Sequence, residues 1–360
     1  MAVAYARPLW PRELPHDPRA LCRLGRSCEE ALDEGIPSFR RHWLAVPSRE
    51  RLEPAQTARC ARALLRHVVR RWGRPDLIHA HSTMWAGFAA YSIRKHFGIP
   101  YVVTEPRGRF SLPDAMALDL LPAWYRPYLR KAVGGARTVA LVGSHLATQL
   151  EPLARPGTKF AAIPYGVDTE FLSMAKSFSG DAFRFVFVGS LAHQKGVLTL
   201  LDAFHQVHLA HPETHLTMVG EGPEAAALSA IVSERCLSKS VEFLGHVTRV
   251  GLRDALQRSQ VCVLPSEFEG LPVSLCEAMS VGIPVIASRG SPAELFPEYA
   301  GTWVPFGDAR ALADAMSHMV RHRGAYDHRR IRAFAVSQYG YDAIGQRILA
   351  MYRTAIRNES

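Results

Sequence analysis

Two glutamates, Glu269 and Glu277, are the side chains in this sequence best placed to do chemistry together. They lie in the stretch PSEFEGLPVSLCEAMSVGIPVI, residues 265–286. Carboxylates accept hydrogen bonds from hydroxyl groups, and the free N–H groups at a helix N-terminus attract anions. The stretch therefore predicts a phosphate site flanked by two hydroxyl-binding carboxylates, as a nucleotide sugar requires. The spacing alone also fits an ordinary strand–helix–strand unit with two surface acids.

A strand, a loop and a helix must position these carboxylates. The apolar residues 261–264 predict the strand, and Pro272 suits the first turn of the helix because its missing N–H would be unpaired there anyway. Gly282 ends the helix. Glu269 then lies in the loop before the helix, and Glu277 lies about 7 to 8 Å further along the helix axis.

A second turn, Gly189 to Gly196, follows the predicted strand Phe183 to Val188 and carries Lys195. A glycine allows the backbone to come close to a ligand, and a lysine at the mouth of a strand–helix turn can neutralise a diphosphate leaving group. The turn matches neither the dinucleotide pattern GxGxxG nor the P-loop pattern GxxxxGK[ST]. This argues against NAD and ATP sites of those two types.

The stretch 265–286 resembles the signature of the retaining glycosyltransferases of family four, also called glycosyl transferases group 1. The resemblance implies an α/β fold of GT-B architecture, in which two Rossmann-like domains with parallel sheets face each other across a cleft. It implies that Glu269 binds the donor sugar, that Glu277 binds the ribose, and that Lys195 and Glu269 act in catalysis. The donor-binding residues that it implies are Gly189, Ser190, Lys195, Glu221, Gly222, Phe243, Gly245, Glu269, Gly270, Leu271, Pro272 and Glu277.

Further motifs extend this resemblance along most of the chain. IPYGVD (163–168) is similar to the family's Ile-Pro-Asn-Gly-Val-Asp, and GEGP (220–223) and FLG (243–245) match family features near the donor. We expect an acceptor-binding domain, a donor-binding domain and C-terminal helices that cross back to the first domain. Their predicted bounds are 1–163, 164–325 and 326–360.

The acceptor side of the resemblance lies at the ends of two predicted strands, HAH (79–81) and VVTEP (102–106). The residues that it places there are His81, Thr104, Glu105 and Arg107. Two positions depart from the family pattern: Pro106 replaces a histidine that contacts donor phosphate or acceptor in many relatives, and Ser190 replaces an arginine.

The start of the chain also departs from the family. Residues 1–5 align best with the family's second strand, so we expect the usual first strand and glycine-rich loop to be lacking. A start further upstream, another element or subunit in the gap, and a degenerate domain all remain open. Seven prolines between Pro8 and Pro54 predict that this region is the least regular part of the chain.

Basic residues are concentrated in the first half, with 25 Lys/Arg against 13 Asp/Glu up to Ile163 and 18 against 20 after it. Arginines recur along one side of a predicted amphipathic helix at 53–72, and a second basic and aromatic cluster reads WYRPYLRK (124–131). Such patches suit anionic lipid head groups or an acidic acceptor, and each also fits a solvated helix face. No apolar run approaches the roughly 18 residues that a bilayer span requires. We expect a cytoplasmic protein, peripheral at the inner face of the membrane.

The resemblance implies a retaining transfer of a sugar from a nucleoside-diphosphate sugar to a hydroxyl acceptor, with no metal and no bound cofactor. A hydrolase with paired carboxylates is an alternative, but such a pair must face each other across a glycosidic bond. A nucleotide-sugar-binding or scaffold protein without catalysis is another. Four histidines between His205 and His215 suggest a metal site only weakly. A nucleic-acid protein is disfavoured because no RNP, helix-turn-helix or zinc signature is present.

Overall fold

The computed structural model describes residues 3–9, 28–33, 35–44, 50–105, 121–174 and 182–357. The chain divides into two compact units. The first comprises Met1–Ala162 together with Ile348–Ser360, and the second comprises Ile163–Arg347.

The first unit contains seven described strands and four described helices that lie wholly within it. The strands are β1 (Val3–Leu9), β2 (Glu29–Asp33), β3 (Ile36–Leu44), β4 (Ile78–His81), β5 (Tyr101–Glu105), β6 (Thr138–Leu141) and β7 (Lys159–Ala162). The helices are α1 (Glu53–Trp72), α2 (Trp85–Phe97), α3 (Arg126–Gly134) and α4 (Ala147–Leu150).

These strands form two sheets. One is parallel throughout, in the order β4-β5-β6-β7. The other has the order β1-β3-β2, with β1 parallel to β3 and β2 antiparallel to it. The β2–β3 hairpin is a correction, because the prolines predicted irregular structure here. Pro37 pairs with Leu32 close to the turn at Gly35, and a proline near a strand end costs the ladder little.

Helix α1 has the predicted bounds and the predicted two sides. Leu64 and Leu65 are buried, and Leu65 packs in a cluster with Ile93 of α2. Arg66 and Arg70 are exposed on the opposite side. The apolar spacing therefore determines which face of the helix is buried, as periodicity at 3.6 residues requires.

The second unit carries six strands. They are β8 (Phe183–Val188), β9 (Thr214–Val219), β10 (Val241–Gly245), β11 (Val261–Leu264), β12 (Val285–Ser288) and β13 (Gly301–Val304). Its helices are α5 (Val197–Ala210), α6 (Ala225–Glu234), α7 (Arg249–Gln257), α8 (Val273–Ser280), α9 (Ala309–Arg321) and α10 (His328–Tyr339), and α11 (Tyr341–Arg357) begins in this unit and ends in the first.

All six strands form one parallel sheet in the order β10-β9-β8-β11-β12-β13. The direction in which strands are added reverses between β8 and β11. In open α/β sheets, ligands bind outside the carboxyl ends of the strands at such a switch point. The loops after β8 and β11 carry Lys195 and Glu269, so the topology brings the two predicted catalytic residues to one crevice.

Helix α10 anchors the segment that opens the second unit. The guanidinium of Arg332 donates hydrogen bonds to the carbonyl oxygens of Thr169 (2.7 Å), Leu172 (2.6 Å) and Ser280 at the end of α8. Among the described helices, none combines the length and the apolar character that crossing a bilayer requires.

Candidate functional site

The loops after β8 and β11 are held together by their backbones. The N–H of Glu267 donates to the carbonyl oxygen of Gln194 at 2.8 Å. Gly196 has a positive φ of 67°, and a Cβ on it would lie 2.2 Å from the carbonyl oxygen of Pro265. Only glycine permits this approach, so Gly196 allows the two loops to pack closely.

An ion pair joins the side chains of the same two loops. Lys195 Nζ lies 2.6 Å from Glu269 Oε1, and the two side chains are only 23% and 11% exposed. The backbone N–H of Glu269 donates to the carbonyl oxygen of Gly290 in the loop after β12, at 3.0 Å. The two residues that the family resemblance assigns to catalysis are therefore in direct contact.

Helix α8 begins directly after this loop. Its N-cap residue is Pro272, and no side chain caps the helix. Leu275 N–H donates to the carbonyl oxygen of Pro272 at 3.0 Å, so the N–H groups that precede it in this turn are the candidate anion donors of the helix N-terminus. Glu277 lies one turn further along, about 6 Å from Val273 along the axis. The second carboxylate is thus held by the same helix that presents the anion site.

Glu277 is half-buried, and its electrostatic surroundings are unusual. Burial raises its pKa to about 7, and the guanidinium of Arg249 acts in the opposite direction. Arg249 is held by Asp168 at 2.8 Å and lies over the ring of Phe171, with 4.7 Å between the guanidinium carbon and the ring centroid. With a pKa of about 7, the Glu277 carboxyl group is about half ionised near neutral pH.

The loop after β9 packs tightly against the loop after β8. Leu191 N–H donates to the carbonyl oxygen of Glu221 at 2.9 Å, and a Cβ on Gly220 would lie 2.0 Å from the carbonyl oxygen of Gly189. A Cβ on Gly222 would lie 2.4 Å from the Leu191 carbonyl oxygen. These glycines are required by the close approach of two backbones, and the Glu221 side chain is exposed.

The other predicted donor residues surround this crevice. Gly245, at φ +61°, accepts a hydrogen bond from Gly220 N–H at 2.8 Å, while Phe243 packs partly against the core. Ser190 is exposed, Gly270 and Leu271 are half-buried, and Pro272 is buried. The structure thus brings the predicted donor residues to the carboxyl edge of one sheet.

The predicted acceptor residues lie at the ends of β4 and β5. Thr104 Oγ1 lies 2.7 Å from His79 Nε2, whose Nδ1 is 2.6 Å from the Tyr352 hydroxyl. Burial lowers the pKa of His79 to about 4, and it also lowers the pKa of His81, whose ring stacks on His79 with centroids 4.3 Å apart.

The carboxylate among the predicted acceptor residues, Glu105, is buried. Glu105 is 3% exposed, and its Oε2 accepts hydrogen bonds from the N–H (2.9 Å) and the hydroxyl (2.6 Å) of Thr83. It holds the loop after β4, in which Ser82 has a positive φ of 93°. Pro106 and Arg107 lie outside the described residues.

His208, one of the four histidines at 205–215, makes contacts within the second unit. His208 Nε2 lies 3.0 Å from Ser240 Oγ, and its ring stacks on Phe204 with centroids 5.7 Å apart. Within the described ranges, no three His, Cys, Asp or Glu side chains are grouped so that they could hold a metal ion.

Two family descriptions match the chain and together span most of it. Glycosyltransferase Family 4 matches residues 12–171, and Glycosyl transferases group 1 matches residues 182–322. The chain belongs to glycosyltransferase family four.

Named relatives match this family-four glycosyltransferase over most of both chains. It is 27% identical over 328 residues to the Bacillus subtilis glycosyltransferase TuaC, whose name ties it to teichuronic acid biosynthesis, covering 88% of this chain and 77% of the relative. It is 29% identical over 307 residues to phosphatidyl-myo-inositol mannosyltransferase of Mycobacterium leprae, covering 81% and 78%.

Solved structures show the same fold. The glycosyltransferase superposes on Anabaena HepE, crystallised with UDP and glucose, with a TM-score of 0.66 at 19% identity, covering 88% of this chain and 86% of HepE. The predicted α/β class with two Rossmann-like domains of GT-B architecture is confirmed. The roles of Lys195, Glu269 and Glu277 stay predictions that the comparisons do not test.

Sequence reasoning missed several residues of this glycosyltransferase that act on the predicted ones. The charge of Arg249 lowers the pKa of Glu277, Gly290 accepts a hydrogen bond from the backbone of Glu269, and His79, which contacts Tyr352, also contacts Thr104. His79 had a signal, because it opens the same His-Ala-His motif as His81. Arg249, Gly290 and Tyr352 had none, because each meets its partner only through the fold.

Proposed function

We propose that this protein is a retaining, metal-independent glycosyltransferase that moves a sugar from a nucleoside-diphosphate sugar to a hydroxyl acceptor in glycan, polysaccharide or glycolipid synthesis. One observation carries the proposal: Lys195, Glu269 and the uncapped start of α8, which also carries Glu277, lie at the switch point of the six-stranded sheet. These groups match one ligand with three parts. The lysine and the helix start suit a diphosphate, and the two carboxylates suit a sugar and a ribose.

In this proposal the diphosphate lies between Lys195 and the start of α8. The bond between C1 of the sugar and the diphosphate oxygen breaks, and its electron pair stays on that oxygen. Lys195 and the first-turn N–H groups of α8 stabilise the charge that develops there. The acceptor oxygen then bonds to C1 on the same face, and its proton passes to the departing diphosphate. No enzyme nucleophile takes part.

The carboxylates orient the donor in the same scheme. Glu269 accepts hydrogen bonds from the sugar hydroxyls, and Glu277 accepts them from the ribose. The neighbour HepE holds UDP and glucose in its crystal, which supports a nucleotide sugar as the donor. The hydrolase alternative fits less well, because Glu269 is paired with a lysine and flanks an anion site rather than facing a second acid.

A thermal-shift screen tests the donor. UDP, GDP, ADP and their sugars are added separately to the wild-type protein, and we expect one base to raise the melting temperature. At a ligand concentration about a hundredfold above Kd the stabilisation is about 2.7 kcal/mol. Glu277→Ala and Lys195→Ala should lose most of this shift, whereas Lys239→Ala, at an exposed lysine of the same unit, should keep it. No shift with any nucleotide would refute the proposal.

A catalytically degenerate nucleotide-sugar-binding or scaffold protein is the second candidate. It is favoured by Ser190 and Pro106, which replace an arginine and a histidine of the family pattern. Incubation of the wild-type protein with the selected donor separates the two candidates. Binding without release of the nucleoside diphosphate, with or without acceptors, supports the scaffold. Release of the diphosphate supports the enzyme.

We further propose that the first unit contacts an anionic membrane surface. The rings of Trp85, Trp124, Tyr125 and Tyr128 form one half-exposed cluster, with Trp85 and Trp124 stacked at 6.1 Å and Tyr128 edge-on to both. The exposed side chains of Arg126, Arg130 and Lys131 flank it. Tryptophan and tyrosine favour the bilayer interface, and basic residues favour anionic head groups.

Sedimentation with vesicles tests this contact. The protein should pellet with vesicles that contain phosphatidylglycerol and stay in the supernatant with pure phosphatidylcholine. Each basic residue near such a surface contributes about 1 kcal/mol. Arg130→Glu with Lys131→Glu should therefore release the protein, and Lys239→Glu should not. Equal binding to both vesicle types would contradict the proposal.

A further inference from the structure

The two residues that the proposed function assigns to the diphosphate and to the sugar of the donor form an ion pair with each other. Lys195, assigned to the diphosphate, forms a 2.6 Å ion pair with Glu269, assigned to the sugar. Both side chains are mostly buried, at 23% and 11% exposed. Charges that have left water must keep a partner, because an unpaired buried charge is strongly destabilising.

The backbones around the pair keep it in place. Glu267 is tied to Gln194 and Glu269 to Gly290 by backbone hydrogen bonds, and Gly196 packs against the carbonyl oxygen of Pro265. Neither loop can withdraw without breaking these contacts. Lys195 can therefore exchange partners only by rotating its side chain within the crevice.

We propose that the Lys195–Glu269 pair makes the site selective for a nucleotide sugar over a free nucleoside diphosphate, and that it thereby promotes release of the diphosphate product. The inference rests on the proposed function and adds a specificity-determining role for the pair.

The two ligands differ in which buried charge they leave without a partner. A nucleotide sugar takes Lys195 with its diphosphate and offers sugar hydroxyls to Glu269, so both buried charges keep partners. A free nucleoside diphosphate takes Lys195 and leaves the Glu269 carboxylate without a partner. After transfer the sugar has gone, and Glu269 competes for Lys195 again. The bound product is therefore weakened by the residue that held the substrate.

Glu269→Gln tests the competition because it removes the charge and keeps the shape. Affinities are measured by calorimetry with three probes: inorganic pyrophosphate, UDP and UDP-glucose. If the thermal screen selects another base, its diphosphate and its sugar nucleotide replace the two uridine probes. Lys195 then has no competing carboxylate. We expect pyrophosphate and UDP to bind Glu269→Gln about tenfold more tightly than wild type. UDP-glucose should gain nothing or lose affinity, so the ratio between sugar nucleotide and free diphosphate falls.

Two further variants separate this effect from general changes in the site. Glu277→Gln removes the other carboxylate and should not tighten pyrophosphate. Lys195→Met combined with Glu269→Gln should lose the gain, because the lysine that the carboxylate competes for is absent. Glu269→Ala provides a second removal of the charge if the glutamine variant has a lowered melting temperature.

The outcomes distinguish the inference from the function beneath it. If wild type binds the nucleotide but neither Glu269 variant binds pyrophosphate or UDP more tightly, the inference is overturned and the proposed function stands. Absence of nucleotide binding in wild type would overturn both. Tighter diphosphate binding together with stronger product inhibition in Glu269→Gln supports the role in product release.

Discussion

Replacing Lys195 with methionine lowers the rate at which the bond between the sugar and the nucleoside diphosphate is cleaved, by about a hundredfold to a thousandfold. The charge on the departing diphosphate develops next to Lys195, and removing one preorganised donor from such a position costs about 3 to 4 kcal/mol in the transition state. Ground-state donor affinity falls less, because the start of α8 and Glu277 still bind. The measurement is kcat and KM with the donor that the thermal screen selects.

Ser190 permits a rescue experiment for this prediction. The family pattern has an arginine at this exposed position, at the mouth of the same turn as Lys195. Ser190→Arg in the Lys195→Met background supplies a cation again and should recover part of the rate. Lys239→Met is the matched control and should leave kcat unchanged. A Lys195→Met enzyme as fast as wild type would show that Lys195 does not stabilise the leaving group.

Donor affinity should rise about tenfold between pH 6 and pH 8, because Glu277 has a pKa of about 7 and only its ionised form offers both oxygens to ribose hydroxyls. The sign follows from the titration, since below pH 7 the protonated form dominates and a proton must be lost on binding. A nucleotide sugar is the right probe, because its esterified diphosphate has no ionisation in this range. Glu277→Gln should bind weakly at every pH, without the rise.

Arg249 allows the origin of this pH dependence to be checked. Its charge lowers the pKa of Glu277 against the larger effect of burial, so Arg249→Met should move the midpoint of the affinity curve to higher pH. Asp168→Asn breaks the 2.8 Å pair with Arg249 and leaves the arginine charge, so it should not move the midpoint upward.

The other groups around α8 do not explain such a shift. Burial raises the pKa of the thiols of Cys262 and Cys276 well above neutral pH, while Arg332 and His328 contact the far end of the helix at the carbonyls of Ser280 and Gly282. Arg235→Met, remote in its pair with Asp202, is the matched control. A pH-independent affinity in wild type would contradict the assignment of Glu277.

Much of the fold could be predicted because its signals are local. The apolar period at 53–72 determines α1 to the residue, and the proline and glycine that bound the predicted helix after Glu269 lie just outside α8, at Val273–Ser280. The strands β2 and β3 were not predicted, because β3 also pairs along its other side with β1, which is distant in sequence. Propensity indicates an element only where the element does not need a distant partner.

The sequence by itself determined the family and the fold class, and it predicts the donor residues, because the family motifs depend on residue types at fixed spacing. Only the tertiary structure decided how those residues act on one another. Lys195 and Glu269 are separated by three helices and three strands in sequence order, and the parallel sheet brings them to 2.6 Å. The pKa of Glu277 likewise depends on burial beneath neighbouring elements and on Arg249 from another helix. Charge and desolvation act through space, and distances in space are set by the completed fold.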